Sequence, residues 1–240
     1  MQNLALLYDE DLETKKFKAL IHLKTKIIDQ HGKAGVLYLL EKENLGKLSF
    51  LEDVEDNACP WFQYKNQEIQ SAITSIWTNL AKKLPAFLER FKARCQYILT
   101  VKNMGSWQLI YVLKGVLEDE SSFYLFYSGG TPIGAAEESE RPNISKKYQE
   151  HLGLFYQVHN GFGELYRESI LPFDELSKIK VASVFYWGFF DFVSKARQCI
   201  NVSDFASGDP ITYDHDRGNI RAYHPFWKFL HERLALIDEE

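Results

Sequence analysis

The residues best suited to hold a metal ion or to exchange protons lie close together near the C-terminus. They combine carboxylates with imidazoles: Asp209, Asp214, His215, Asp216 and His224. Carboxylate oxygens suit hard cations and imidazole nitrogens suit transition metals, so this group is a candidate centre for a metal-dependent hydrolase. The same segment is also typical of a polar turn after a strand, in which Asp and Asn bond to their own backbone. We favour the turn, and we predict no metal, no cofactor and no catalytic residue.

Other sequence patterns associated with catalysis are incomplete. The segment His231-Glu-Arg-Leu-Ala235 begins like a zinc-protease helix, but Ala235 stands where that chemistry needs a second histidine. The glycines between Ser128 and Gly134 are not followed by the Gly-Lys-Ser/Thr sequence of a phosphate-binding loop. The three cysteines lack the paired spacing of zinc ligands, and we predict that they are buried thiols: Cys59, Cys95 and Cys199. We therefore predict that the protein is not an enzyme.

His159 has two interpretations. A catalytic or ligand-binding histidine is one of them. The other is a structural histidine at the C-terminal end of a helix, where it stabilises the helix dipole beside the Asn160-Gly161 stop. We favour the structural interpretation because Asn-Gly is a common helix terminator.

The periodicity of apolar residues predicts both helices and strands. Residues 1–95 favour helices, of which the clearest is the stripe from Ile69 to Phe91 that Pro85 should kink or divide. Residues 96–101, 107–113 and 122–127 are short, aromatic and β-branched, which indicates a three-stranded meander. Beyond them we expect a helix from Ser145 to Asn160-Gly161, a short helix near residues 174–179, strands at residues 200–205 and 210–214, and a final helix from Pro225.

These elements predict an α+β fold, with a mixed or antiparallel sheet packed with helices and a helical region before it. The chain has 240 residues, of which 45% are hydrophobic and 15% aromatic, enough for a full core. We place the helical N-terminal region at residues 1–95 and the α+β domain at residues 96–240, and one continuous domain is the alternative. The acidic stretch at residues 44–59 is expected to be a polar connection.

The sequence predicts a cytoplasmic protein without membrane contact. The first residues carry neither the basic segment nor the long apolar run of a signal peptide. The most apolar stretch, residues 181–193, is too short to cross a bilayer. An odd number of widely spaced cysteines favours a reducing compartment.

The net charge of −5 disfavours direct binding to nucleic acid, which depends on neutralising phosphates with Lys and Arg. Residues 1–95 contain 13 acidic and 14 basic residues, whereas the rest of the chain contains 20 and 14. The surplus of acid after residue 95 suits either a solvated surface or a face complementary to a basic protein.

Several motifs after Ser145 occur in a distinctive order. An aromatic helix runs into Phe155-Tyr156 and His159-Asn-Gly-Phe162, and is followed by Ile170-Leu-Pro172, Phe205-Ala-Ser-Gly-Asp209 and Phe226-Trp-Lys-Phe-Leu230. Because these motifs occur in this order, the segment of residues 145–240 resembles the SUKH superfamily, which has the Smi/Knr-like fold. The positions that match are Phe155, Asn160, Gly161, Leu171, Pro172, Gly208, Asp209, Phe226 and Phe229. The resemblance implies that most of them define the fold.

The resemblance also implies a function in protein binding. Most bacterial members of the superfamily look like immunity proteins that neutralise a toxin of a competing cell, often a nuclease, by occluding it. We therefore expect acidic contacts and aromatic anchors for a cognate toxin among Asp204, Asp209, Tyr213, Asp214, Asp216, Tyr223 and Trp227. A regulatory or scaffold protein of the same fold that binds an endogenous partner is the first alternative, and the metal-dependent hydrolase is the second.

Overall fold

The fold is α+β, with an antiparallel sheet packed with helices. A computed structural model describes the chain over residues 10–116, 121–134, 152–165, 169–181, 184–191, 196–201, 210–214, 219–223, 227–228 and 230. In these residues no helix is both long and apolar enough to span a membrane.

Two helices at the N-terminal end form a hairpin. Helix α1 (Glu10–His31) ends at Gly32, whose φ of 53° lets the chain reverse directly into α2 (Lys33–Glu41). Gly35 of α2 lies against the backbone of Ile27, so an added Cβ would overlap with the Ile27 carbonyl. The hairpin is therefore closely packed at its turn.

Two more helices precede the main strands. Pro85 divides the predicted long helix in two, as expected: α3 (Ile69–Ile76) ends before a 3-10 turn, and α4 (Pro85–Arg94) begins with the proline at its first position. Proline is tolerated there because the first helical N–H has no partner within the helix. A short helix, α5 (Leu154–Tyr156), lies further along the chain.

The described part of the sheet has eleven strands. In chain order they are β1 (Lys47–Phe50), β2 (Cys95–Asn103), β3 (Ser106–Val116), β4 (Ser122–Gly130), β5 (Asn160–Glu164), β6 (Ser169–Ile170), β7 (Ser177–Val181), β8 (Val184–Asp191), β9 (Ala196–Asn201), β10 (Pro210–Asp214) and β11 (Asn219–Tyr223). Neighbours follow one another in that order, except that β8 pairs with both β6 and β7. Every pairing is antiparallel. The meander predicted at residues 96–127 is confirmed as β2 to β4.

The first strands are buried on both faces because helices cover each side. One face, here called the aromatic face, carries Ile98, Leu109 and Tyr111 and packs against a core that includes α3, α4 and α5. The opposite face, the aliphatic face, carries Leu99, Ile110 and Val112. The helical hairpin covers the aliphatic face with Ile28, Val36 and Leu40. Burial on both faces explains why β3 has an unbroken apolar run rather than an alternating one.

The Leu171-Pro172 step separates two strands that both pair with β8. Strand β6 pairs with Asp191 and Phe190 of β8, and β7 resumes the pairing at Gly188. Between them the chain leaves the sheet at Leu171, turns through a 3-10 helix (Phe173–Glu175), and returns. Leu171 and Phe173 are buried, so this excursion adds to the core.

The structure corrects several predictions of local structure. Of the helix expected from Ser145 to Asn160-Gly161, residues 145–151 lie outside the described residues and residues 152–156 are helical, but Asn160–Glu164 is strand β5. Gly161 does have a positive φ of 79°, but it lies in a strand paired with β4 rather than at a helix end. Residues 174–179 form the end of a 3-10 turn and part of β7 rather than a helix, and residues 44–59 include β1. Pairing with distant strands outweighs local propensity at these places.

Candidate functional site

The structure describes only some of the residues that were predicted from the sequence to contact a partner. Tyr213 and Asp214 lie on β10, and Tyr223 lies on the adjacent β11. Trp227, expected to be exposed, is partly buried against the core, with Lys83 Nζ 5.7 Å from its ring centroid. Asp204, Asp209 and Asp216 lie outside the described residues, as do His215 and His224 of the metal-site candidate.

Those motif residues of the family resemblance that the structure describes lie near one another, where β5 contacts the 3-10 turn after Pro172. Asn160 Oδ1 accepts a hydrogen bond of 2.7 Å from the Phe173 backbone N–H, which ties β5 to the 3-10 turn. A Cβ at Gly161 would lie 3.0 Å from the Pro172 nitrogen, so the two chain segments approach closely there. Phe155 is fully buried beneath them. These residues position the backbone and face no open site, while Gly208, Phe226 and Phe229 lie outside the described residues.

His159 is buried within a chain of hydrogen bonds. Trp77 Nε1 lies 3.1 Å from the Tyr111 hydroxyl, which lies 2.8 Å from His159 Nε2. The other ring nitrogen, Nδ1, lies 3.4 Å from the Gly130 carbonyl oxygen. Aromatic rings pack around the imidazole, with Phe162 stacked on it at 5.6 Å between centroids.

The two ends of this chain fix the direction of every hydrogen bond, given that burial keeps the imidazole neutral. The Trp77 indole can only donate, and the Gly130 carbonyl can only accept. Tyr111 therefore accepts from Trp77 and donates its single proton to His159 Nε2, and His159 Nδ1 donates to Gly130. His159 is thus a neutral imidazole with its proton on Nδ1.

Burial keeps both titratable groups of the network uncharged. Desolvation lowers the pKa of His159 from 6.5 to about 3, and the Gly130 carbonyl offsets only part of that effect. Burial also raises the pKa of Tyr111 well above 10. Neither side chain is open to a dissolved substrate, so the arrangement supports the core rather than acid–base catalysis. The structural interpretation of His159 agrees with its burial, and its backbone N–H bonds to the Phe155 carbonyl oxygen at the end of α5, but its neutral ring packs in the core and supplies no charge to the helix dipole.

The cysteines that the structure describes in atomic detail are buried, as predicted. Cys59 is 3% exposed and Cys95 is 2% exposed. Burial raises the pKa of both thiols, that of Cys95 to about 12, so neither supplies a thiolate at neutral pH. Cys199 lies on β9.

The network constrains Gly129 of β4. A Cβ at this position would overlap with the His159 ring, whereas a Cβ at Gly134 would have no neighbour within 4 Å. We expect Gly129→Ala to lower the free energy of unfolding by about 1–3 kcal/mol because the imidazole must shift in a closely packed core. Gly134→Ala should change it by less than about 0.5 kcal/mol. Urea denaturation followed by circular dichroism measures both, and equal stabilities for the two variants would contradict the role given to the ring.

An open groove lies where the aromatic face of the sheet extends beyond its covering helices. It has a volume of about 580 Å³ and is lined by Lys47, Leu48, Ser49, Asp53, Val54, Glu55, Asp56, Thr100, Lys102 and Trp107. Strands β1, β2 and β3 supply one side, and the acidic loop after β1 supplies the other. Leu51 and Val54 of that loop are buried, so they anchor a segment whose carboxylates remain at the surface. We call this the β1 groove.

Asp56, Lys102 and Trp107 form an ordered array in the β1 groove. Lys102 Nζ lies 2.6 Å from Asp56 Oδ2 and 5.0 Å from the centroid of the Trp107 ring. Asp56 Oδ1 also accepts a hydrogen bond of 3.0 Å from the Ala58 backbone N–H. The bond from Lys102, followed by that from Ala58, lowers the pKa of the Asp56 carboxyl. A half-buried tryptophan held beside a fixed ion pair is a suitable anchor for another protein.

The groove contains no activated nucleophile. The hydroxyls of Ser49 and Thr100 donate to the backbone carbonyls of Phe50 and Ser49 rather than to a base. Nowhere in the described residues do three or more His, Cys, Asp or Glu side chains come together in a way that could hold a metal ion. The arrangement is therefore suited to binding through charge and an aromatic ring.

Sequence reasoning missed this groove although one signal was present. Met104 and Gly105, with φ of 47° and 88°, form the two-residue turn of the β2–β3 hairpin. Such a turn fixes the register, so Lys102 must lie opposite Trp107. Asp56 could not be placed in the same way, because it joins the array only through the pairing of β1 with β2.

Comparison of the chain with known protein families, curated proteins and solved structures finds no match.

Proposed function

We propose that this chain is a cytoplasmic immunity protein that binds a cognate toxin stoichiometrically and blocks its active site or substrate path. The observation that carries the proposal is the β1 groove, in which Trp107 and the Asp56–Lys102 pair lie side by side and partly exposed. The resemblance of residues 145–240 to the SUKH superfamily favours a toxin as the partner. Protein interfaces commonly centre on such an aromatic anchor within a charged rim.

The charges of the groove favour a basic partner. Glu52 is paired with Lys33, and Asp56 is paired with Lys102. Asp53 and Glu55 are exposed and form no ion pair with another residue of the described ranges. Two exposed carboxylates on an anchored loop, neither of them in a salt bridge within the described ranges, favour contact with the positively charged substrate cleft typical of a nuclease. The same charges repel nucleic acid, which supports a protein as the ligand.

Co-expression with the toxin encoded by the neighbouring gene tests the proposal directly. The full chain should restore growth and should elute with the toxin as a stoichiometric complex on a sizing column. Killing that persists, with no complex on the column, would show that the chain does not have this function. Rescue without a complex would contradict the occlusion mechanism.

Reversing the two unpaired charges should slow association with the toxin. We expect Asp53→Lys combined with Glu55→Lys to reduce the association rate by about tenfold or more at low salt, because rim charges steer encounter. Asp174→Lys combined with Glu175→Lys is the matched control, since both residues are exposed and lie on a 3-10 turn, as Asp53 does. Surface plasmon resonance at two salt concentrations measures the rates. An equal loss in both double variants would place the toxin elsewhere.

A further inference from the structure

We propose that the β1 groove binds a guanidinium group, supplied by an arginine side chain of the protein partner. Lys102 occupies this site in the free protein, and the arginine displaces it. The choice of a protein partner rests on the proposed function, whereas the recognised group and the displaced lysine are additional to it.

The floor of the β1 groove is the face of strands β1, β2 and β3. Residues directly opposite each other in an antiparallel pair point to the same face of the sheet. The register pairs Ser49 with Thr100, Lys47 with Lys102, and Lys102 with Trp107, so these five side chains share one surface. The acidic loop after β1 supplies the facing wall. A ligand in the groove therefore lies over the face of the sheet, between this surface and the loop.

A cation already occupies the groove. Lys102 Nζ lies 2.6 Å from Asp56 Oδ2 and 5.0 Å from the centroid of the Trp107 ring. The Trp107 backbone is held in place, since its carbonyl oxygen accepts hydrogen bonds of 3.2 Å and 2.9 Å from the N–H and the hydroxyl of Thr131. A carboxylate beside the negative face of an indole attracts organic cations. The position of Lys102 thus indicates the class of group that the site holds.

The lysine can be exchanged for an arginine of the partner. The side chains of Lys102 and Asp56 are 40% and 39% exposed, so solvent screens their attraction and Lys102 can move into water at little cost. A guanidinium is more weakly hydrated than an ammonium, and its planar surface stacks on an aromatic ring, so it gains more from the tryptophan. Asp56 Oδ2, once released, accepts a guanidinium N–H.

The Asp56 carboxylate remains suitable for a cation after the exchange. The hydrogen bond from Lys102 is the larger cause of the lowered pKa of this carboxyl, but the bond from the Ala58 backbone N–H lowers the pKa as well. That bond, of 3.0 Å to Oδ1, involves neither Oδ2 nor Lys102. It therefore keeps the carboxylate ionised and oriented while the cation changes.

The remainder of the groove accommodates the added positive charge. Asp53 and Glu55 line it, are exposed, and form no salt bridge within the described ranges. Together with Asp56 they outnumber the two lysines of the groove, Lys47 and Lys102. The volume of about 580 Å³ lies within the range of about 300–1,000 Å³ typical of sites for small ligands. An arginine side chain therefore fits beside the displaced lysine.

Binding of N-acetylarginine methylamide to the full chain tests the site without the toxin. The ligand is added at up to about 50 mM and constant ionic strength to ¹⁵N-labelled protein. The indole N–H resonance of Trp107, identified by its loss in Trp107→Leu, reports on binding. N-acetylcitrulline methylamide is the control ligand, because it has nearly the same shape but no charge. We expect a millimolar dissociation constant for the arginine ligand and binding at least about tenfold weaker for the citrulline ligand.

Two lysine variants separate displacement from a general effect of charge. Lys102→Met keeps an unbranched side chain but removes the seated cation, so it should bind the arginine ligand about fivefold more tightly. Lys47→Met removes the same charge from the same groove but lies outside the array, and should change the affinity by less than about twofold. Equal gains in the two variants, or no gain in Lys102→Met, would overturn displacement.

Removing the site itself should weaken binding. Asp56→Asn should bind the arginine ligand at least about threefold more weakly than the native chain, because the carboxylate is lost. Equal binding of the two ligands, a Trp107 resonance that does not shift, or an affinity unchanged in Asp56→Asn would overturn the site. Rescue from the toxin by a chain that binds no arginine ligand would refute this inference alone. Arginine binding by a chain that forms no complex with the toxin would refute only the proposed function.

Discussion

Tyr111→Phe is expected to lower the free energy of unfolding by about 3–5 kcal/mol, although it removes one oxygen atom and preserves the ring. The hydroxyl is fully buried and joins two polar groups that have no route to water. Its loss leaves the Trp77 indole N–H without an acceptor and His159 Nε2 without a donor. Each orphaned buried group costs about 1–3 kcal/mol, which exceeds the net contribution of an ordinary hydrogen bond.

Urea denaturation measures this effect, and Tyr38→Phe is the control. Tyr38 is 49% exposed, so the same chemical change there should alter stability by less than about 0.5 kcal/mol. The melting temperature of Tyr111→Phe should fall by roughly 10 °C, since a chain of this size loses about 2–4 °C per kcal/mol. A loss below about 1 kcal/mol would mean that the network contributes little beyond its packing.

Some elements of the fold can be predicted from the sequence, and others cannot. The meander of β2 to β4 was predictable because apolar, β-branched runs alternate with turn residues, and Pro85 marked the division between α3 and α4. Strand β5 was not predictable from its own residues. Asn160–Glu164 has two glycines and follows a helical pattern, and only its pairing with β4 makes it a strand.

The same physical reason limits prediction of the sites. Tyr111 and His159 are 48 residues apart, and Asp56 and Lys102 are 46 residues apart. Each pair meets because the sheet brings together strands from distant parts of the chain. A local pattern can identify a histidine beside Asn-Gly or an acidic loop, but it cannot show that one is buried under tryptophans and the other borders a groove. The register of a two-residue hairpin is the exception, as Lys102 and Trp107 illustrate.

Acid is expected to destabilise the protein through His159. The folded state holds the pKa of this imidazole at about 3, whereas an unfolded chain has the ordinary value of 6.5. Between these values the unfolded state binds the additional proton, so the free energy of unfolding falls as the pH is lowered from 6.5 toward 3. The slope approaches about 1.4 kcal/mol per pH unit, and the loss over the whole window is about 4–5 kcal/mol.

A variant that cannot titrate isolates this effect from the carboxylates. Glutamine at position 159 can accept from Tyr111 and donate to Gly130, so His159→Gln should be less stable at neutral pH but should lose about 3 kcal/mol less on acidification to pH 4. His31→Gln, at an exposed position at the end of α1, should keep the full dependence of the native chain. Urea midpoints between pH 4 and pH 7.5 provide the comparison. Parallel profiles for the native chain and His159→Gln would mean that the imidazole accepts a proton without unfolding the core. That result is hard to reconcile with a ring enclosed by Trp61, Trp77 and Phe162.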